Sequence, residues 1–372
     1  HEHPQSKDGL CSLCQSIIDL SDYYTSHDAF IVHYDFVNTQ DSMFDLGFVG
    51  IKMSPKVPKE LVNSEQIYYL DSVNGFECGN VKLLGNLVPK DMNGTSLGFE
   101  DIVQLQNPED GDRKLGILKM DVDNLGAIFA FGLKNREGEG YEVQRSLSKY
   151  LTLSRLMEIF FTQQLKKICI ELSQRLSMNK QNMFYINYAG GDDLVILGPV
   201  YGIVYLALEI NRQFKAFVRN ENITISGGIH IQRPSEPVRF GIQFADDALE
   251  SSKHYMMDGK MVKNAMTMMD ITVPFSDYQA LLDQVETYRT LIRQKRLTRT
   301  GFYRIMSQIK DRSLMAYYES VPLIQYSIIR NISDQEVQLM MKQDLTTIDD
   351  EQTLRKMVLM MKLVILFTRE ES

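Results

Sequence analysis

The sequence predicts an α+β chain, with an antiparallel sheet carrying helices on one face, a small α+β module before it and a helical bundle after it. Three observations predict this class. Between Leu115 and Lys253, β-prone apolar runs alternate with stretches of 3.6-residue apolar period, as strands and helices packed in layers require. Two of the runs, Tyr185-Ile-Asn-Tyr-Ala189 and Leu194-Val-Ile-Leu197, are joined by Gly190-Gly191-Asp192-Asp193, which reads as a β-hairpin. From Phe275 onwards glycine almost vanishes and apolar repeats of helical spacing take over.

The first unit expected is residues 1–106. Gln15 to Tyr24 is helix-like, and Phe30-Ile-Val-His-Tyr34 and Gln66-Ile-Tyr-Tyr-Leu70 alternate as strands do. Turn signals recur at Asn74-Gly75, Cys78-Gly79, Gly85-Asn86 and Asn93-Gly94. Cys11-Ser-Leu-Cys14 has the spacing that lets two thiolates share one Zn²⁺, so Cys11 and Cys14 are a candidate structural zinc half-site. A buried or unliganded pair accounts for them equally.

The second unit expected is residues 107–272. Leu115 to Asp123 reads as a strand, the run after it as a short helix, and Asn135 to Gly140 as a polar loop. A long helix from Leu147 to about Leu176 carries Leu153, Leu156, Met157, Phe160, Phe161 and Leu165 at helical spacing. Ile223 to Ile231 is a β-branched strand interrupted by Gly227-Gly228, which marks close approach by another backbone or by a ligand. Phe244 to Lys253 closes the unit as a helix.

Residues 273–372 are expected to be helical. Arg289, Arg293, Lys295, Arg296, Arg299 and Arg304 cluster there near Tyr303, either as a solvated helix face or as a docking site for RNA or a small helical subunit.

Composition narrows the function. A formal charge of −8 over 372 residues argues against a broad nucleic-acid-binding surface on this chain alone. There is no apolar run of membrane-spanning length and no leader-like pattern, so the reading is a cytoplasmic protein without a membrane partner. Four cysteines without secretory features do not point to disulfides. His1 stands where a methionine is usual, so the numbering is expected to begin inside a longer protein.

The chemistry is carried by carboxylates. The strand ending in Asp121-Val122-Asp123 places two of them by alternation on one face, and the hairpin tip presents Asp192 and Asp193. Set side by side they make a four-carboxylate site whose oxygen ligands suit Mg²⁺ or Mn²⁺. An acidic turn with no metal is the plainer reading of the tip alone.

These segments together resemble the large subunit of type III CRISPR effector complexes, Csm type. The resemblance is carried by LGILKMDVDNLGAIFAFGL (115–133), LSKYLTLSRLMEIFF (147–161), YINYAGGDDLVILGP (185–199), LALEINRQFKAF (206–217), ITISGGIHI (223–231), FADDALESSK (244–253) and KNAMTMM (263–269). It implies a ferredoxin-like palm domain, akin to GGDEF cyclases, that converts ATP into cyclic oligoadenylates. It implies Asp121, Asp192 and Asp193 as catalytic, and these three with Asp123 and the Val122 carbonyl as metal ligands. Gly190, Gly191, Asn124, Ser154, Lys253 and Lys263 are implied as nucleotide-binding. Implied partners are the other subunits of the ribonucleoprotein, guide and target RNA, and the upstream half of the same protein with its nuclease-like HD domain, which is not recognisable here. Asp193-Leu194 and Phe129-Ala130 depart from the GGDEF signature and its guanine-reading Asn-Asp, which disfavours a diguanylate cyclase. The non-enzymatic rival is a scaffold whose acidic tip is structural.

Overall fold

Strand β5 (Leu115–Val122) lies inside a six-stranded sheet, and the other elements are arranged around it. The structure, a computed structural model, describes residues 85–132, 147–257, 259–309 and 313–369, with four strands between 29 and 69. Those four, β1 (Ala29–His33), β2 (Phe44–Asp45), β3 (Gly50–Ser54) and β4 (Glu65–Tyr69), form an antiparallel sheet in the order β2-β3-β1-β4. The helix expected over Gln15 to Tyr24 and the candidate zinc ligands Cys11 and Cys14 lie outside the described residues.

The central sheet adds β6 (Tyr185–Gly190), β7 (Asp193–Pro199), β8 (Ile225–Gln232), β11 (Ala265–Met268) and β12 (Ile271–Pro274), in the order β12-β11-β8-β5-β7-β6. A separate ribbon pairs β9 (Met256–Met257) with β10 (Lys260–Met261). The sheet is mixed, not antiparallel throughout as the sequence suggests, because β11 runs parallel to β8. Four methionine-rich residues are too short a run to announce such a strand by pattern.

Helices cover both faces, correcting the expectation of one. In chain order they are α1 (Phe99–Val103), α2 (Leu125–Ala127), α3 (Leu147–Ile159), α4 (Leu165–Leu176), α5 (Val200–Val218) and α6 (Val238–Lys253). Leu118, Met120 and Val122 belong to one core with α4 and α5, while Leu115 and Ile117 belong to another with Ala245 of α6. Alternation along one strand thus feeds two cores. A Cβ on Gly116 would sit 3.0 Å from Ile203 of α5, and one on Gly228 only 2.3 Å from the Leu249 nitrogen of α6. Close approach of a helix backbone is therefore what Gly228 serves, while Gly227 leaves room for the side chains of Met266 and Met120.

The long helix is present but is broken by a π turn at Phe160–Gln164 between α3 and α4. The wider turn lets neighbouring Phe160 and Phe161, with Thr162, all be buried. Each buried aromatic of this kind contributes about 1.5–3 kcal/mol of transfer free energy.

After β12 every described element is a helix: α7 (Phe275–Arg293), α8 (Arg299–Met306), α9 (Leu314–Asn331), α10 (Gln335–Thr346) and α11 (Glu351–Phe367). Asp334 and Asp350 cap α10 and α11 by accepting from backbone amides of the first turn, worth about 1 kcal/mol each. The basic cluster is divided: Arg289, Arg293 and Arg296 are taken up in ion pairs, whereas Lys295 and Arg304 are exposed. Arg289 is fully buried, paired with Asp110 at 2.7 Å and Glu286 at 2.5 Å, and its guanidinium lies 4.5 Å from the Tyr201 ring centroid. Arg293 reaches Asp110 at 3.3 Å, and Arg296 grips Asp334 and Glu336 at 2.6 Å. These arginines tie α7 and the residues just after it to the turn that precedes β5 and to the start of α10.

Candidate active site

One end of the central sheet gathers the acidic residues. There β5 finishes, β8 and β11 begin, and the β6–β7 hairpin turns. The hairpin closes with Gly190 opposite Asp193, leaving Gly191 and Asp192 as the turn. Gly191 has φ +67 with open space around it, so the backbone angle and not packing calls for glycine. The amide of Val122 donates to the Asp192 carbonyl at 3.0 Å, fastening the turn to the end of β5.

Register brings the carboxylates together. Asp121 of β5 is paired with Asp193 of β7 on one side and Ser226 of β8 on the other. Paired residues point to the same face, here the one covered by α6. Lys253, in the last turn of α6, reaches Asp121 at 2.5 Å. Lys119, two residues before Asp121 and on the same face, pairs with Asp246 of α6 at 2.6 Å.

The charges are incompletely balanced. Burial, then the charge of Asp121, push the Asp192 carboxyl above the ordinary carboxylate value, against a backbone hydrogen bond and Lys253. Asp193 is raised by burial, then by Asp192 and Asp121, with Lys119 and the Tyr188 hydroxyl pulling it back. Burial works against the Lys253 charge, but the hydrogen bond and charge of Asp121, with Glu250 and Asp123, carry it above its ordinary value. Clustered carboxylates that resist ionisation are the condition a cation relieves.

Asp123 has a different setting. It is 1% exposed, and its Oδ2 accepts from Thr224 Oγ1 at 2.6 Å, Ser226 Oγ at 3.0 Å and the Asn264 amide at 3.1 Å. Its Oδ1 is buried without a hydrogen-bond partner. Asp123 thus ties together the end of β5, the start of β8 and the approach to β11. Next to it Asn124, in the left-handed region at φ 59, accepts from Lys263 Nζ at 2.7 Å.

Of the residues singled out in the sequence, Asp121, Asp192, Asp193, Gly190, Gly191 and Lys253 share one corner, and Asp123, Asn124 and Lys263 lie beside it. Ser154 is on α3, and among the described residues no hydrogen bond of this corner reaches it. Among the described residues no three His, Cys, Asp or Glu side chains stand ready-placed around an ion. Lys253 already engages Asp121. Even so the residues suit a hard divalent cation: carboxylates held at rigid strand ends, two of them resisting ionisation, and an orphaned carboxylate oxygen on Asp123. Sequence reasoning passed over Lys119, although alternation with Asp121 marks it. It also passed over Thr224, Ser226 and Asn264, which reach Asp123 only through folding.

Residues 114–266 match Cas10/Cmr2, second palm domain. They are a Cas10 second palm domain. The Cas10/Csm1 single-strand-specific deoxyribonuclease of subtype III-A from Methanocaldococcus jannaschii is 34% identical over 199 residues, 49% of this chain and 24% of that protein. The corresponding Cas10/Csm1 of Enterococcus italicus is 30% identical over 248 residues, 63% of this chain and 28% of that protein. The chain thus spans about a quarter of the length of these Cas10 relatives. Two solved structures share the fold. A Csm1–Csm4 cassette in complex with pppApApA superposes with TM-score 0.71 at 19% identity, covering 93% of this chain and 49% of that one. A Csm1–Csm4 cassette in complex with one ATP gives TM-score 0.68 at 19% identity, covering 96% and 50%. No helix among the described residues is long and apolar enough to cross a membrane.

Proposed function

We propose that this chain is the nucleotidyltransferase portion of a type III CRISPR antiviral complex and joins ATP into cyclic oligoadenylates when target RNA is recognised. The observation that carries the reading is the convergence of Asp121, Asp192 and Asp193 at the strand ends beside Lys253. The likeness to cassettes solved with ATP and with pppApApA supports it.

Asp121, Asp192 and Asp193, with the Val122 carbonyl and Asp123, would hold Mg²⁺ or Mn²⁺. When bound, such ions lower the pKa of an attacking 3′-hydroxyl and neutralise charge on a departing pyrophosphate. The chain's own residues do the rest. Lys253 gives up its contact with Asp121 and turns its charge to the triphosphate, for which an ammonium is a suitable partner. Lys263 is held by Asn124 on the neighbouring side and supplies a second cation. The turn at Gly191 keeps the backbone low under the nucleotide, and Ser154 is assigned a place near the nucleotide by resemblance alone. The other subunits, guide and target RNA, and the upstream half of the same protein complete the working complex.

The test is calorimetric binding of ATP and of GTP, each with and without Mn²⁺, to the chain and to its Asp192→Ala, Asp193→Ala variant. Mn²⁺-dependent ATP binding that is lost in the variant supports the proposal. A preference for GTP points to a guanylate cyclase, and metal-independent behaviour identical in both proteins points to a scaffold.

A further inference from the structure

Helix α6 lies along β5 and runs the same way, toward the acidic corner. A Cβ on Gly241 would stand 2.3 Å from Ile117 Cδ1, Asp246 meets Lys119 at 2.6 Å, and Lys253 meets Asp121 at 2.5 Å. The two ion pairs are crossed. The strand supplies a lysine and then an aspartate, and the helix, about two turns apart, an aspartate and then a lysine. The pair at the corner is the one that gives way to a nucleotide. The chemistry above has no use for the other.

Lys119 stands where an apolar residue is usual. In β5 only Lys119 and Asp121 are not buried, and the residues paired with Lys119 across the sheet are Val195 of β7 and Gly228 of β8. A charge on the face of an inner strand is costly unless it is paired. Gly228 makes the pairing possible: with no side chain there, the backbone of α6 comes down beside Lys119, close enough for Asp246 to receive its ammonium. Further along α6, fully buried Ser252 donates to the Gly227 carbonyl and lies 2.9 Å from Thr267 Oγ1. The helix is thus fastened to the sheet at Asp246 and at Ser252, and neither fastening uses a carboxylate of the corner.

We propose that Lys119 and Asp246 are positioning residues: their ion pair seats α6 on the sheet so that Lys253 stays over the corner when its ammonium leaves Asp121 for a triphosphate. The consequence for the nucleotide rests on the nucleotidyltransferase reading; the seating of the helix does not. A lysine that had to hold its own helix in place through Asp121 would loosen that helix on changing partners. With the separate pair in place, only the side chain of Lys253 has to move.

The test uses the wild-type chain, Asp246→Ala, Lys119→Met, Lys253→Ala, and Asp246→Ala combined with Lys253→Ala. Calorimetry reads ATP affinity at saturating Mn²⁺, and hydrogen exchange without nucleotide reads the α6 amides. Asp246→Ala and Lys119→Met should each weaken ATP roughly three- to tenfold, as loss of one part-exposed ion pair allows. In the Lys253→Ala background, Asp246→Ala should have no further effect, because the residue it positions is gone. Exchange in the last turns of α6 should quicken by a similar factor in Asp246→Ala, although alanine is the better helix former. Unchanged exchange there overturns the proposal. So does an Asp246→Ala loss that is as large without Lys253 as with it, or a Lys119→Met loss far beyond that of Asp246→Ala, which would put Lys119 on the nucleotide itself. Should the wild type show no Mn²⁺-dependent ATP binding, the nucleotidyltransferase reading fails, while exchange in α6 still decides whether the pair seats the helix.

Discussion

Two clusters of charge in this chain are treated in opposite ways. Around Arg289, charge is buried and paired: the guanidinium has no exposure, pairs with Asp110 and Glu286, and packs on Tyr201. At the strand ends, Asp121, Asp192 and Asp193 stand together with fewer cations than carboxylates, and two of them are pushed above the ordinary value. Buried pairing is architecture, since a lone charge in the interior would be ruinous. Unrelieved repulsion near solvent is a capacity to bind something positive.

Breaking each cluster should therefore give opposite phenotypes. The largest effect is expected from Asp192→Ala with Asp193→Ala, which should weaken Mn²⁺-dependent ATP binding by at least about a hundredfold and abolish oligoadenylate synthesis in the assembled complex. Calorimetry and product chromatography read the two, and full synthesis by the variant would refute the assignment. Next is Arg289→Met, which takes from buried Asp110 its nearer cation and leaves it only Arg293 at 3.3 Å. It should cost about 3–5 kcal/mol in denaturant unfolding while leaving the acidic corner intact in whatever fraction folds. A smaller effect separates the two duties of Lys253. In Lys253→Ala, ATP with Mn²⁺ should bind roughly tenfold more weakly, while Mn²⁺ alone binds at least as tightly because Asp121 is freed.

The smallest effect is on stability against pH. Asp192 and Asp193 are raised above 3.8 in the folded protein, so the folded state holds their protons more firmly than the unfolded chain does. Between 3.8 and the raised values, stability falls as pH rises, and the deficit persists above them. Both groups are part-exposed, and solvent screens the effect. Asp192→Asn with Asp193→Asn should accordingly gain at most about 1 kcal/mol at neutral pH, and the gain should vanish in unfolding curves measured below about pH 4.

Legibility tracked the range of the interactions. The hairpin and the strand into Asp121 could be read because glycine, alternation and apolar runs act over a few residues. The separation of Asp123 from the other carboxylates could not, because Thr224, Ser226 and Asn264 come to it from about a hundred residues or more away. The burial of Arg289 escaped for the same reason, since Asp110 is 179 residues distant in sequence. Alternation also misassigns Tyr188, because the one inserted residue, Asn187, reverses the faces of the residues after it in β6. The parallel strand β11 was hidden by its brevity, and helices on both faces by the two-sided apolar character of β5.

The loop leading into β5 is held by α11 and the residues just after it. The Asp112 amide donates to the Leu366 carbonyl at 3.0 Å, and Arg369, 257 residues away in sequence, reaches the Asp112 side chain at 3.2 Å. Contacts of such separation are slow to form, because a long loop must close before they return anything. A ribosome making this chain releases β5, the hairpin and α6 well before α11. The acidic corner can therefore be assembled while the far end of its own strand is still untied.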